Sequence, residues 1–250
     1  MLTLLRAGPE WMIDQQELRF LDRRSDGFIF IVPTHHYKAI ENLLKHDIPV
    51  VTCSFNDLPT GVAAVGVEDE ACMRLAVGYL AKRGHRRIIH LSMHADNSIF
   101  LRRSEGYAAA MAELGLAPRV VMHGYNTPHA VEWQSELREA IESQGITAIV
   151  AANDFLALDA WQFLEGIGLN VPGDVSITGM DNLHAASERG LTSVGYSSIE
   201  AGRLAMNTMI DLIAGDRYPP DRIVVPATMV ERGSVAPCHI SQGSEFYAES

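Results

Sequence analysis

Cysteine is scarce in this chain of 250 residues: Cys53, Cys72 and Cys238 are the whole supply, and they share no C-x-x-C spacing. Neither a disulfide framework nor a zinc knuckle is encoded, and a reducing cytoplasm is the simplest compartment. Long apolar runs are also missing, since no stretch approaches the ~18 uninterrupted apolar residues of a membrane helix. The first residues, MLTLLRAGPEWMIDQQ, hold only a short apolar run and no small-residue cleavage site, so they do not read as an ordinary signal peptide. Positive charge is in deficit: Lys and Arg number 20 against 31 acids, for a net charge of -11. A phosphate backbone is gripped by clustered cations, so this segment alone is a poor clamp for DNA. Catalytic signatures are absent too. No G-x-S-x-G, P-loop or G-x-G-x-x-G occurs, which removes the usual nucleophile and phosphate machinery. The ten histidines include His35, His36, His90 and His94, but no H-E-x-x-H helix spacing, so neither a metal nor a cofactor is implied.

What the chain does have is apolar content, 47% of its residues, enough for one large core or two smaller ones. The stretch Thr147–Asp181 organises it. Residues Thr147–Ala151 are short, apolar and bounded by polar residues, as in a buried parallel strand, and Asn153-Asp154 follow where a helix should begin. That helix places Leu156, Ala160, Phe163, Leu164 and Ile167 on one face before Gly168 and Pro172 end it. Val175–Thr178 is the next strand, and Gly179 is expected to let the backbone turn before Asp181. This is a βαβ unit, and ligands of such sheets bind outside the carboxyl ends of the strands, where Asn153 and Asp181 fall.

The same alternation runs through the rest. Strands are expected at Leu2–Leu5, Phe28–Val32, Pro49–Cys53, Val62–Val67, Ile88–Leu91, Val120–Met122, Leu191–Val194, Ile223–Val225 and Thr228–Val230. Helices are expected at Trp11–Arg24, at His36–Lys45, from Glu68 to Gly84, through Phe100–Leu114, around Trp133–Ile141, and at Ile199–Ile213 with Met206, Ile210 and Ile213 as its apolar positions. Repeated strand–helix units predict an α/β class with doubly wound parallel sheets, and two small sheets suit the length better than one.

The ordered series AxND at Ala151–Asp154, GLNVPGDVSITGMDN at Gly168–Asn182, YLAKRGHRRIIHLS at Tyr79–Ser92, LRRSEGYAAAMAELGL at Leu101–Leu116 and VVPATMVERGSV at Val224–Val235 resembles the effector-binding core of LacI/GalR-type transcription regulators. Their fold is shared with periplasmic sugar-binding proteins. The resemblance implies two periplasmic binding protein-like type I lobes, residues 1–86 plus 196–226 and 87–195 plus 227–238, with 239–250 as a loose tail. It also implies three chain crossings near His85–Arg87, Gly195–Ser197 and Pro226–Thr228, a ligand cleft between lobes, and hinge closure on binding. The function implied is a non-catalytic, cytoplasmic sensor of a sugar, sugar phosphate or related metabolite, working as a homodimer with no membrane contact. DNA would be reached only through a helix-turn-helix outside this chain. A transporter's periplasmic sugar-binding protein would share the fold and is the alternative. Aligned backward from DGFIF, Met1 falls at the family's second strand, so the first lobe is expected to lack one βα unit.

The resemblance also nominates ligand contacts, each with a plainer role beside it. Arg103, in R-x-x-G-Y, offers a rigid fork of donors for hydroxyls or a carboxylate; otherwise it is a solvated helix arginine. Asp181 can accept from ligand hydroxyls, or cap the next helix. Asn153 can donate and accept, and can cap its own helix; Asp154 is expected to cap or pair locally. Asp69 matches an acidic position that contacts sugar in some members, although Asp69-Glu70 departs from the usual Asp-Asn. Tyr125 and Asn126 stand where a stacking aromatic is common, or else pack a loop. Removing Arg103 or Asp181 is expected to weaken binding by ~1.5–3 kcal/mol with the fold intact.

Overall fold

Parallel strands buried on both faces need apolar runs and covering helices, and the alternation above supplies both. In a computed structural model, residues 25–31, 37–55, 58–93, 98–124, 132–215 and 222–238 are described. The elements run β1 (Phe28–Ile31), α1 (Tyr37–Lys45), β2 (Val50–Cys53), β3 (Ala63–Gly66), α2 (Asp69–Lys82), β4 (Ile88–Met93), α3 (Ser98–Glu113) and β5 (Val120–His123). Next come α4 (Glu132–Gln144), β6 (Ala148–Ala151), α5 (Asp154–Gly166), β7 (Ser176–Met180), α6 (His184–Arg189) and β8 (Thr192–Tyr196). The described chain closes with α7 (Ser198–Ala214), β9 (Arg222–Val224) and β10 (Ala227–Val230). The expected Leu2–Leu5 strand, the Trp11–Arg24 helix and the 239–250 tail lie outside the described residues.

Two compact units result: Met1–Glu68, Asp96–Ile99 and Tyr196–Ala227 form the first, and Asp69–Ala95, Phe100–Gly195 and Thr228–Ser250 the second. Helix α2 therefore groups with the second unit, whereas the sequence reading assigns it to the first. The first unit holds a four-stranded sheet in the order β1-β2-β3-β9, with each neighbouring pair parallel. Successive residues of β2 point to opposite faces, so Val50 packs with Ile40 and Leu43 of α1 while Val51 packs with Ala201, Ala205 and Met209 of α7. The isoleucines expected to face inward from α7 do not. Ile210 and Ile213 are about half exposed, and Ile199, at the start of the helix, is 85% exposed. Small inward residues let α7 lie close to the sheet, and a Cβ on Gly27 would sit 2.4 Å from the Met209 sulfur.

The second unit holds a six-stranded sheet in the order β10-β8-β7-β6-β4-β5, parallel from β8 through β5. One face is wholly apolar: Ile89, Leu91, Ile149, Ala151 and Ile177 pack against Trp133, Leu137, Leu156, Ala160 and Leu164 of α4 and α5. The residues alternating with these strand positions include His90, Ser92, Ser176, Thr178 and Thr192, all buried. A buried polar row of this kind must be satisfied by hydrogen bonds or be paid for in stability.

Candidate functional site

At the carboxyl edge of the second sheet, β6 delivers Ala152 and Asn153, β7 delivers Asp181, the start of α2 delivers Asp69, and α3 delivers Arg103. Gly106, one turn beyond Arg103, permits the arrangement: a Cβ there would lie 2.5 Å from Glu70 Cα, so α3 meets the first turn of α2 almost backbone to backbone. Arg103 is 6% exposed, and each nitrogen of its guanidinium is engaged. Nε donates to Asp69 Oδ1 at 2.8 Å, Nη1 to Ala152 O at 2.6 Å, and Nη2 to Asp181 Oδ1 at 3.3 Å. One buried cation thus stands between two carboxylates. Burial pushes the Asp69 carboxyl above its ordinary pKa, and the charge of Arg103 only partly offsets this. The Asp181 side chain keeps 25% of its surface exposed and is the more accessible of the two acids.

Asn153 caps α5 from extended backbone, its Oδ1 accepting from Leu156 N at 2.9 Å. Asp181 does not cap α6, because Leu183 occupies the cap position and no side chain completes it. Gly179 is not a turn residue either. It lies inside β7, and a Cβ there would fall 2.1 Å from Asp154 Oδ1, so it is small to admit a carboxylate. The turn falls instead at Asp181 and Asn182, with φ of 99° and 52°. Tyr125 and Asn126 lie outside the described residues.

Asp154, expected to cap or pair locally, finds partners that the sequence did not name, and the supporting place of His90 escapes the sequence reading. Asp154 is fully buried, accepting from Leu183 N at 2.6 Å and from Ser193 Oγ at 2.7 Å. His90 is also fully buried, stacked on Tyr107 with ring centroids 5.0 Å apart, and its Nδ1 donates to Val150 O at 2.8 Å. Burial lowers its pKa from 6.5 to about 4, so the ring is neutral. An acid at the first turn of an otherwise apolar helix, and a histidine inside an apolar strand, were the available signals for both. Among the described residues, no three His, Cys, Asp or Glu side chains are grouped to hold a metal ion, and no helix is long and apolar enough to cross a membrane.

Comparison with known proteins agrees with this fold. A model of the periplasmic binding protein-like domain matches residues 77–235. An uncharacterised HTH-type transcriptional regulator from the aml 5' region of Streptomyces limosus is 29% identical over 92% of this chain. The match spans 67% of that relative's own length. A solved regulatory protein of the LacI family from Chloroflexus aggregans superposes with a TM-score of 0.76 at 27% identity, over 88% of this chain and 80% of that one. A LacI family transcriptional regulator from Enterococcus faecium, solved with bound ribose, has the same fold, with a TM-score of 0.76 at 24% identity over 88% of this chain and 82% of its own. The chain belongs to the periplasmic binding protein-like family, in the form found in LacI/GalR-type transcription regulators.

Proposed function

We propose that this chain is the sugar-sensing core of a transcriptional regulator and that its ligand is a neutral sugar. The observation that carries this reading is the buried Arg103 held between Asp69 and Asp181. Each guanidinium nitrogen already donates to a protein oxygen, and beside its remaining N–H groups the site offers the lone pairs of two carboxylates. Those accept from hydroxyl donors. A sugar phosphate would bring further negative charge to two acids that share one cation, and is disfavoured by Coulomb repulsion. Asn153 adds an amide that can both donate and accept. The ribose bound to the Enterococcus faecium regulator supports a sugar of this kind.

The remaining roles follow from the regulator reading. Asp69, Asn153, Arg103 and Asp181 contact the ligand, with Tyr125 and Asn126 as further contacts; closure on it shifts the regulator between states; the protein acts in the cytoplasm as a homodimer and catalyses nothing. A helix-turn-helix carries the DNA contact, since the present segment is acidic at -11. The transporter reading is not favoured, because the similar Streptomyces limosus protein is named a regulator. A thermal-shift screen of ribose, cellobiose and other neutral sugars against their phosphates tests the proposal. A neutral sugar at 100 times its dissociation constant should stabilise the chain by ~2.7 kcal/mol and be recovered unchanged. Stabilisation by phosphates alone, or by no sugar at all, overturns it.

A further inference from the structure

Asp181 sits in a backbone conformation that L side chains rarely adopt, and so does its neighbour Asn182. Two such residues in succession persist only where the surroundings over-determine them. Three successive amides of the turn each have a fixed acceptor: Asp181 N donates to Val194 O at 2.9 Å, Asn182 N to Ser193 Oγ at 3.1 Å, and Leu183 N to Asp154 Oδ2 at 2.6 Å. Asp154 enters this set twice, because its Oδ1 also accepts from the Ser193 hydroxyl that receives Asn182. Gly179 leaves the space that its carboxylate fills. Arg232 closes the far side, donating to Asn182 Oδ1 and to Leu191 O, each at 2.6 Å.

We propose that Asp154 is a positioning residue: its ionised carboxylate, through Leu183 and Ser193, holds the left-handed Asp181–Asn182 turn and so aims Asp181 at the sugar. This rests on the reading above that Asp181 contacts sugar. The charged groups facing Asp154 are Asp181, on the turn after β7, and Arg232, after β10. Burial raises the Asp154 pKa to about 6, against the bonds from Ser193 and Leu183, while Asp181 adds to the rise and Arg232 opposes it. Mild acid therefore neutralises it. A proton on Oδ1 reverses the bond to Ser193, whose hydroxyl can then turn to Val194 O, 3.4 Å away. Leu183 N is left with a neutral carbonyl in place of a carboxylate, a weaker partner. Asp154→Asn reproduces that neutral arrangement at every pH, with the amide nitrogen donating to Ser193 and the oxygen accepting from Leu183.

The test is titration calorimetry of ribose and cellobiose between pH 5 and 8, on wild type and on Asp154→Asn. Wild-type affinity for the sugar that binds should fall about tenfold on acidification, roughly the loss of one good charged hydrogen bond. The variant should sit at the wild-type low-pH affinity across the range, apart from any slope Asp69 contributes to both proteins. An Asn variant with wild-type affinity and wild-type pH slope overturns the proposal. Amide exchange tests it without any ligand: protection at Asn182 and Leu183, corrected for intrinsic rates, should drop in acid in wild type and stay low in the variant. Protection through Ile149–Ala151 in β6 should not change, which checks that the variant is folded. Unaltered protection at Leu183 would overturn the positioning role whether or not a sugar binds, whereas failure of both sugars with the exchange result intact would sink only the sugar reading.

Discussion

Arg103 and Asp181 touch the same ion pair but answer differently to mutation, because one is enclosed and the other is not. Arg103→Met would leave Asp69, 7% exposed, without its cation and drive its already raised pKa higher. Breaking a buried pair from one side costs about 3–5 kcal/mol, so urea unfolding of Arg103→Met should show a large loss of stability. Asp181→Asn keeps the size of a side chain that is 25% exposed. It should change stability by less than about 1 kcal/mol while weakening sugar binding by ~1.5–3 kcal/mol, read by calorimetry. The expectation that both variants keep the fold intact is thus revised for Arg103. The sequence made Arg103 conspicuous through R-x-x-G-Y and nominated Asp69, but not their pairing, because Asp69 lies 34 residues away and meets Arg103 only where Gly106 lets two helices close. Gly179 misled in the opposite sense. A glycine before an aspartate reads as a turn, and here it answers a carboxylate from another element.

Helix α7 illustrates what periodicity leaves open at the next scale. A 3.6-residue repeat marks two apolar stripes on this helix, one of Ala201, Ala205 and Met209, the other of Ile199, Met206, Ile210 and Ile213, and hydrophobicity alone favours the isoleucines. The sheet takes the smaller stripe. Met209→Ala should therefore cost about 2–5 kcal/mol. Ile199→Ser, at 85% exposure, should stay within about 0.5 kcal/mol, the reverse of the order that side-chain hydrophobicity suggests. Chemical denaturation of the two variants separates these outcomes, and equal losses would mean that the outer stripe is covered by another surface. Gly106→Ala probes the α2–α3 crossing in the same assay. Its methyl would meet Glu70 backbone rather than a flexible side chain, so a loss of about 1–3 kcal/mol is expected, together with displacement of Arg103 from Asp69.

Across the whole molecule, the alternation of strands and helices was legible because parallel strands and their covering helices differ in period and length. Which strand lies beside which was not. The order β10-β8-β7-β6-β4-β5 depends on contacts distant in sequence, and so does the grouping of α2 with the second unit. Equally hidden were the opposing effects on stability of two buried ionisable groups in that unit. His90 has its pKa lowered to about 4, so its contribution is full above 6.5 and is lost as pH falls toward 4. Asp154 has its pKa raised from 3.8 to about 6, so its contribution is full below 3.8 and is lost as pH rises through 6. Each gap is worth about 3 kcal/mol, and the two windows overlap almost entirely. His85 and His123, both lowered by burial, lean the same way as His90, while Asp69 leans with Asp154. Wild-type stability contributed by the central pair should accordingly change little between pH 6.5 and 4. His90→Gln keeps a donor for Val150 O but cannot take the proton, so relative to wild type it should gain up to about 3 kcal/mol on acidification across that window. Asp154→Asn should lose a similar amount over the same range, and the double variant should track wild type. Urea unfolding of the four proteins at pH 4.5 and 7 reads these differences directly, and the groups common to all four cancel. Parallel pH profiles in all four would mean that neither His90 nor Asp154 titrates in the folded protein as its burial requires.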